Sequence, residues 1–230
     1  VSIDGPDAAS HDNLRQVPGA FNTACEGIAR VSRSGLEFQI NTTVTKRNIK
    51  LLPQIMKLAK DLGARAHHIF LLVPTGRAKE MVEEELSASE YEEALKFLAR
   101  EKKNSSLEIK VTCAPHFNRV LLQEHAATVS GLSGRGCMGG VSFCFISHIG
   151  DVQPCGYLEL NCGNIRKEAF KDIWFKSEVL NNIRDWHKYK GKCGVCEFKI
   201  VCGGCRARAY AKYNDYLREE PYCTYEPGLS

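Results

Sequence analysis

Nine of the eleven cysteines lie in the last 94 residues of this 230-residue chain, and this clustering constrains the fold more than any other feature of the sequence. The count is odd, and two C-x-x-C pairs, Cys193 with Cys196 and Cys202 with Cys205, fall within thirteen residues. Small secreted proteins spread disulfides through a chain that lacks a core, whereas the first half here has ample apolar residues. The pattern therefore favours reduced thiolates that hold metal over disulfide bonds.

The spacing of these cysteines bears on which metal they hold. Only five residues separate Cys196 from Cys202, whereas zinc ribbons place roughly 12–20 residues between their two C-x-x-C pairs. Eight candidate ligands would suffice for two tetrathiolate sites. They are Cys137, Cys144, Cys155, Cys193, Cys196, Cys202, Cys205 and Cys223. The spacing favours iron–sulfur clusters and leaves zinc as the alternative.

The composition is that of an ordinary globular protein, with 43% hydrophobic and 25% charged residues and a net charge of +4. These values exclude collagen-like, coiled-coil and disordered classes, and so mild a charge indicates neither a nucleic-acid nor a membrane-surface partner. No stretch approaches the roughly 20 apolar residues of a membrane span, so we expect a cytoplasmic protein. The chain begins at Val1, inside an apolar run and without Met, so we expect it to be part of a longer protein.

Short apolar strands alternate with amphipathic helices in the first half. The pattern predicts strands at 1–4, 36–45, 68–73 and 107–113, and helices at 21–34, 48–62 (capped by Asn48) and 89–103. This alternation is typical of an α/β fold with parallel strands, in a barrel or an open sheet. Ligands of such folds bind at the C-terminal strand ends. Those ends carry Asp4, Thr43, Thr45, Pro74, Thr75, Gly76 and Arg77.

The second half is predicted to contain a hairpin and one long helix before its cysteine-rich loop. Residues 143–156 form the hairpin, which turns at Gly150 and brings Cys144 and Cys155 to neighbouring positions. Residues 168–183 show the apolar spacing of a helix.

A change of composition marks a boundary between the two halves. Residues 130–136 are rich in Gly and Ser, which predicts a linker. We therefore divide the chain into domains of residues 1–130 and 131–230.

The cysteine spacing resembles the SPASM domain, the auxiliary-cluster module of radical S-adenosylmethionine (SAM) enzymes. The resemblance rests on Cys137-x12-Gly150-x4-Cys155, followed by Cys193-x2-Cys196-x5-Cys202-x2-Cys205 and then Cys223. The family often has three residues between the last pair, where this chain has two. The resemblance implies one or two auxiliary 4Fe–4S clusters. One would use Cys137, Cys144, Cys155 and Cys205. The other would use Cys193, Cys196, Cys202 and Cys223.

The first half resembles the later strands of a radical SAM partial (β/α)6 barrel, which the SPASM domain would follow. VSIDG with HDNLR is similar to the fourth strand and its helix, INTTV to the fifth strand and FLLVPTGRA to the sixth. The resemblance implies SAM-binding residues at six positions: Ser2, Asp4, Arg15, Asn41, Thr43 and Val73. The C-x3-C-x2-C motif of the SAM-reducing cluster does not occur in the sequence, and we expect it to precede Val1.

The resemblance extends to radical SAM enzymes of haem biosynthesis. LLVPTGRA, TCAPHF, VQPCGYLEL and CGGCRARAY are similar to motifs of members that oxidatively decarboxylate propionates of iron-coproporphyrin III to vinyl groups, giving haem b. An iron-porphyrin substrate is implied, with SAM and 4Fe–4S clusters as cofactors and reduced flavodoxin or ferredoxin as electron donor. Substrate contacts would come from Arg77, His116 and His148. We expect the 230 residues alone to be inactive.

Other interpretations of the same residues remain open. The whole protein could be a radical SAM/SPASM maturase that modifies a peptide, or the chain a non-catalytic iron–sulfur electron-transfer module. A surface arginine is the alternative for Arg77, and an ordinary loop histidine for His116 and His148. Arg206 and Arg208 are predicted to pair structurally near the cluster charge, with substrate contact as the alternative. Cys113 and Cys162 are predicted to be buried thiols, with a role as spare or alternate cluster ligands as the alternative.

Overall fold

A parallel sheet organises the first half of the computed structural model. Its strands are β1 (Gln39–Val44), β2 (Ala66–Leu71) and β3 (Glu108–Thr112), hydrogen-bonded in that order. Both pairings are parallel. The first residues of the chain join the outer edge of β1 through one parallel bridge between Ser2 and Asn41. The predicted parallel α/β arrangement is confirmed, with the first strand reduced to a single bridge.

Helices connect the strands and cover the sheet. They are α1 (Ala8–Arg15), α2 (Ala20–Arg33), α3 (Leu52–Asp61), α4 (Ala88–Asn104) and α5 (Phe117–Gln123). Helix α4 begins with a capping box: the Ser87 side chain accepts from the N–H of Glu90, and the Glu90 carboxylate accepts from the N–H of Ser87.

Asn48 does not cap a helix, contrary to the prediction. A 3-10 turn, Ile49–Leu51, precedes α3, and the Asn48 side chain makes no capping bond to it. That side chain accepts from the N–H of Thr45 at 2.9 Å, and donates to the carbonyl oxygens of Asp4 at 2.9 Å and Thr43 at 2.8 Å. Buried backbone groups at strand ends need hydrogen-bond partners. The Asn48 side chain bonds to these groups and therefore does not cap the helix.

A small antiparallel sheet begins the second half. Its strands are β4 (Phe145–Ile146), β5 (Asp151–Gln153) and β6 (Gly163–Asn164), in that order. Strands β4 and β5 form the predicted hairpin. Gly150 in its turn has a φ of 91°, a conformation that a residue with a Cβ rarely adopts.

The long helix predicted in the second half is two helices, α6 (Phe170–Lys176) and α7 (Glu178–Arg184). Ser177 between them has an extended ψ of 122°. The Arg184 guanidinium donates to the carbonyl oxygen of Trp174 at 2.6 Å, which satisfies a backbone group near the end of α6. The apolar spacing could not reveal this break, because it continues across both helices.

An apolar cluster joins the two halves near the cysteines. Two short helices, α8 (Lys192–Val195) and α9 (Arg206–Tyr213), flank the cysteine-rich loop. The buried members of the cluster are Val73, Leu158, Ile183, Cys205 and Ala207, with Cys113 and Cys155 packed against them. Each fully buried aliphatic side chain contributes roughly 1.5–3 kcal/mol, so this cluster holds the cysteine loops firmly against the strand ends.

The structure describes residues 1–124, 128, 131–132 and 134–228, without the side chain of Arg77. Residue 130, where the predicted domain boundary falls, lies outside the described residues. Within the described ranges, no helix combines the length and the apolar character needed to cross a membrane.

Candidate metal centres and the adjoining pocket

Four of the predicted ligands line one cavity, which we call the four-cysteine cavity. Cys193, Cys196, Cys202 and Cys223 line it, around about 440 Å³ of empty space. No three His, Cys, Asp or Glu side chains of the described residues converge on a single metal-ion position. The four thiols are instead distributed around the cavity.

The loop that carries these cysteines depends on glycine. Gly203 and Gly204 have φ of 76° and 60°. A Cβ on Gly203 would lie 2.7 Å from the Arg135 guanidinium, and one on Gly204 would lie 2.3 Å from Nη2 of Arg206. Both positions therefore favour glycine for their backbone conformation, and a Cβ there would displace an arginine guanidinium group.

Hydrogen-bond donors already surround the sulfur atoms of this cavity. The N–H of Gly204 donates to Sγ of Cys202 at 3.4 Å, and the N–H of Glu220 donates to Sγ of Cys193 at 3.4 Å. Donors to cysteine sulfur stabilise the thiolate and tune the potential of a bound cluster. Burial raises the pKa of Cys202, so a metal that binds there must displace a proton.

Two arginines add positive charge to the same sulfur atoms. Nη2 of Arg206 lies 3.7 Å from Sγ of Cys193, and Nη2 of Arg119 lies 3.7 Å from Sγ of Cys223. A tetrathiolate cluster carries net negative charge, and these guanidinium groups offset it.

His116 also lines the four-cysteine cavity. Its side chain is fully buried and packs against the Tyr91 ring, with centroids 4.8 Å apart. Neither ring nitrogen has a hydrogen-bond partner among the described residues. Burial lowers the pKa of His116 to about 4, so the ring is neutral at physiological pH. A neutral imidazole in this position can donate one N–H to a group held by the cysteines.

Three of the other predicted ligands come together at the junction of the two halves. Cys155 and Cys205 belong to the joining apolar cluster. A Cβ placed on Gly139 would lie 3.2 Å from Cβ of Cys155 and 3.8 Å from Sγ of Cys137, which shows how close these two side chains are. Burial raises the pKa of Cys205, and the charge of Cys137 contributes to the shift.

The fourth predicted member of that set, Cys144, lies apart from the other three. It precedes β4 and is only half-buried. Burial raises the pKa of Cys162, and the charge of Cys144 raises it further, so these two thiols interact.

Arg206 and Arg208 are buried and paired, as predicted. Nε of Arg208 donates to Oε1 of Glu220 at 2.9 Å, and both side chains are 1% exposed. Arg206 donates to the carbonyl oxygen of Arg218 at 2.7 Å and lies 4.5 Å over the Tyr189 ring. Both arginines therefore act inside the protein rather than at a surface.

A second pocket, the strand-end pocket, opens at the C-terminal edge of the parallel sheet. It has about 780 Å³ of empty space and is lined by residues of both halves. Thr43 and Val73, two of the predicted SAM-binding residues, are among them, as are Cys113 and Tyr157. Burial raises the pKa of Cys113, to which the charges of Cys205 and Cys155 add.

The remaining predicted SAM-binding residues are Ser2, Asp4, Arg15 and Asn41, of which Ser2 and Asn41 form a parallel bridge. Asp4 is 1% exposed, and its carboxylate accepts from Nε of Arg15 at 2.5 Å and from the N–H of Thr43 at 2.7 Å. Oδ1 of Asn41 accepts from the Gln39 side chain at 2.8 Å. Asp4 is therefore a partner for Arg15 and Thr43, which lie where a ligand can reach them.

The other two predicted substrate residues are Arg77 and His148. Arg77 lies in the 3-10 segment Gly76–Glu84 that follows β2, and its side chain lies outside the described residues. His148 is exposed in the hairpin turn, where its carbonyl oxygen accepts from Arg166. Sequence reasoning missed Glu220, for which no motif gives a signal. It included Tyr157 in the motif VQPCGYLEL but assigned it no role. The strand-terminal TCAP was the available signal for Cys113.

Comparison with known proteins agrees with this arrangement. Residues 137–198 match the SPASM iron–sulfur cluster-binding domain. Streptococcus suis SuiB bound to precursor peptide SuiA shares the fold, with a TM-score of 0.69 and 16% identity over 98% of this chain and 53% of that one. The fold and the cysteine loops thus define a radical SAM-type α/β protein with a SPASM domain.

Two relatives narrow this class. The chain is 52% identical to the AdoMet-dependent heme synthase of Nitratidesulfovibrio vulgaris, over 99% of this chain and 64% of the relative. It is 48% identical to that of Methanosarcina barkeri, over 99% of this chain and 67% of the relative. The chain belongs to the AdoMet-dependent heme synthase family, and it spans about two thirds of the length of these relatives.

Proposed function

We propose that the whole protein oxidatively decarboxylates propionate side chains of iron-coproporphyrin III to vinyl groups, giving haem b. The observation that carries the proposal is the strand-end pocket, where Thr43 of β1 and Val73, just after β2, meet Tyr157 of the cysteine-rich half. This pocket lies beside the thiols of Cys155 and Cys205, in a chain about half identical to heme synthases.

The reaction sets what the residues must supply. Conversion of a propionate to a vinyl group releases CO₂, one hydrogen atom and one electron. When bound, SAM would provide the acceptor of the hydrogen atom, and an auxiliary cluster would provide the acceptor of the electron. The protein must hold the propionate beside both and exclude water.

We propose that the edge of the sheet binds SAM. The Arg15 side chain is 40% exposed and is oriented by Asp4, so it can present its charge to a carboxylate. Ser2, Asn41, Thr43 and Val73 would provide the other contacts. The positions of Thr43 and Val73 in the strand-end pocket support this assignment.

The cysteines are proposed to hold two 4Fe–4S clusters. Cys193, Cys196, Cys202 and Cys223 fit one, because they line a common cavity in which the sulfur atoms of Cys193 and Cys202 already accept backbone N–H bonds. Cys137, Cys155 and Cys205 fit part of the second. We propose that Arg77 and His148 contact the porphyrin. His116 is left out of this set because it is fully buried beside the four-cysteine cavity.

The proposed chemistry also bears on the electron donor and on the cellular compartment. One-electron reduction requires a small one-electron carrier, and we assign this role to reduced flavodoxin or ferredoxin. Thiolates remain reduced in the cytoplasm, which we propose as the compartment. We keep the division into domains of residues 1–130 and 131–230 as part of the proposal.

The test uses the whole protein, loaded anaerobically with iron and sulfide. With SAM, a reductant and iron-coproporphyrin III, it should release CO₂ and yield first a three-propionate and then a two-propionate porphyrin. Arg77→Leu should weaken binding of the porphyrin or of SAM by about tenfold, equivalent to 1.4 kcal/mol. Absence of CO₂ release by the wild type would reject the proposed activity and favour a peptide substrate.

A further inference from the structure

We infer that Cys113, and not Cys144, is the fourth ligand of the cluster held by Cys137, Cys155 and Cys205. The inference rests on the proposed second cluster, and it changes the ligand set that the resemblance implies. It also assigns a metal-binding role to a cysteine of the first half, outside the SPASM match at residues 137–198.

Cys113 occupies a special backbone position. It directly follows β3 and has a φ of 59°, which a non-glycine residue adopts only where its surroundings hold it there. Its carbonyl oxygen accepts from Nη2 of Arg208 at 2.5 Å and from the hydroxyl of Tyr91 at 2.9 Å. Both donors are buried, so the position of Cys113 is fixed by partners from both halves.

The neighbours of Cys113 are the other three thiols. Cys113 packs in the same apolar cluster as Cys155 and Cys205. Its pKa is raised by burial and further by the charges of Cys205, Cys155 and Cys137. The end of β3, the hairpin, the start of α9 and the segment before the hairpin would thus each supply one thiol, which makes the four ligands of a tetrathiolate cluster.

Cys144 does not pack with this set. The β4–β5 ladder ends at the pair Phe145 and Gln153, so Cys144 and Cys155 both lie beyond its paired residues. Cys113, Cys155 and Cys205 share one apolar cluster, and Cys144 is not among the described residues of that cluster. Burial raises the pKa of Cys144, with no contribution from the other three ligands.

The charges around the four thiols suit a bound anion. Arg208 lowers the pKa of Cys113 and of Cys205, opposing burial, and Arg206 and Arg135 act in the same way on Cys137. Guanidinium groups on several sides offset the negative charge of a thiolate-bound cluster.

The assignment also explains how a cluster could serve the strand-end pocket. Cys113 lines that pocket together with Thr43, Val73 and Tyr157. A cluster ligated by Cys113 is therefore adjacent to the place proposed for the substrate, where an electron has to be accepted.

Two variants of the whole, iron-loaded protein test the inference: Cys113→Ala and Cys144→Ala, with Cys162→Ala as the matched control. Cys113→Ala should lose about four irons and four sulfides per chain, while the electron paramagnetic resonance signal of the cluster at Cys193 stays. Cys144→Ala and Cys162→Ala should keep the full content. Loss of iron from Cys144→Ala, or full content in Cys113→Ala, would overturn the inference.

A second measurement does not depend on whether a variant folds. In the wild type, Cys144 should react with iodoacetamide at the same rate with and without iron, as an unligated half-buried thiol does. Protection of Cys144 on iron loading would make it a ligand and overturn the inference. A wild-type protein that binds no iron at all would instead reject the proposed clusters, and with them this assignment.

Discussion

The carboxylate of Glu220 accepts a hydrogen bond from the backbone N–H of Cys205 at 2.6 Å. The N–H of the same glutamate donates to Sγ of Cys193 at 3.4 Å, and its other carboxylate oxygen accepts from Arg208. The buried Glu220 therefore contacts one cysteine of each group, and it forms an ion pair with Arg208. Through these hydrogen bonds, Glu220 positions one proposed ligand of each group.

Glu220→Gln should destabilise the protein strongly. It leaves the fully buried guanidinium of Arg208 without a counter-charge, and loss of one partner of a buried ion pair costs about 3–5 kcal/mol. The free energy of unfolding in urea measures the effect. Glu93→Gln, at an exposed position of α4, should change it by less than about 0.5 kcal/mol. Equal effects of the two variants would contradict the structural role of Glu220.

His67 should make stability depend on pH in the acidic range. Burial lowers the pKa of His67 to about 4 from 6.5, so between these values the unfolded chain binds a proton that the folded chain does not. Its contribution is fully present above pH 6.5 and is lost as the pH falls towards 4, by about 3 kcal/mol. His67→Gln should flatten the profile of unfolding free energy in this window.

The hydrogen bonds of His67 make glutamine a suitable replacement. Thr42 donates its hydroxyl to the carbonyl oxygen of Ile3 at 2.5 Å, so its oxygen can only accept from Nε2 of His67, 2.8 Å away. A glutamine amide keeps such a donor without titrating. The exposed His187→Gln serves as control. A pH profile that His67→Gln leaves unchanged would show that other groups cause it.

Cys202→Ser should remove one cluster and leave the other. The thiol lines the four-cysteine cavity and accepts from the N–H of Gly204, whereas Cys137 and Cys155 lie at the other site. The variant should lose about four irons per chain, determined by iron analysis and absorbance. Cys25→Ser, in α2, should leave both values unchanged. Loss of all iron on Cys202→Ser would show that the two sites are not independent.

Arg15→Leu should weaken SAM binding to the whole protein. A charge-assisted bond contributes about 1.5–3 kcal/mol, which corresponds to a loss of affinity of about 10- to 150-fold. Titration of wild type and variant with SAM measures it. Arg30→Leu, at an exposed position of α2, should bind as the wild type does. Unchanged affinity in Arg15→Leu would remove this residue from the proposed SAM site.

Local sequence signals were sufficient for much of the fold. The parallel strands and the hairpin follow from apolar periodicity and turn residues, which act over a few positions. The same holds for Cys193, Cys196 and Cys202, which lie close in sequence and line one cavity.

Long-range contacts could not be predicted in this way. Asn48 has the residue type of a helix cap, but the buried carbonyl of Asp4, 44 positions away, determines its role. Cys113 meets Cys205 because α9 packs on the end of β3, and no local pattern records that contact. The break at Ser177 leaves the apolar spacing intact and is therefore invisible to it.

The place of Glu220 and Cys223 in the chain has a consequence for how the protein is made. The ribosome synthesises them at least several seconds after Cys137, at about 5–20 residues per second. One side of the four-cysteine cavity is missing until Cys223 has been synthesised. The backbone N–H of Cys205 has no carboxylate partner until Glu220 has been synthesised. Iron and sulfide can therefore be delivered to the complete site only after this segment has been translated. The thiols synthesised earlier have to stay reduced until then.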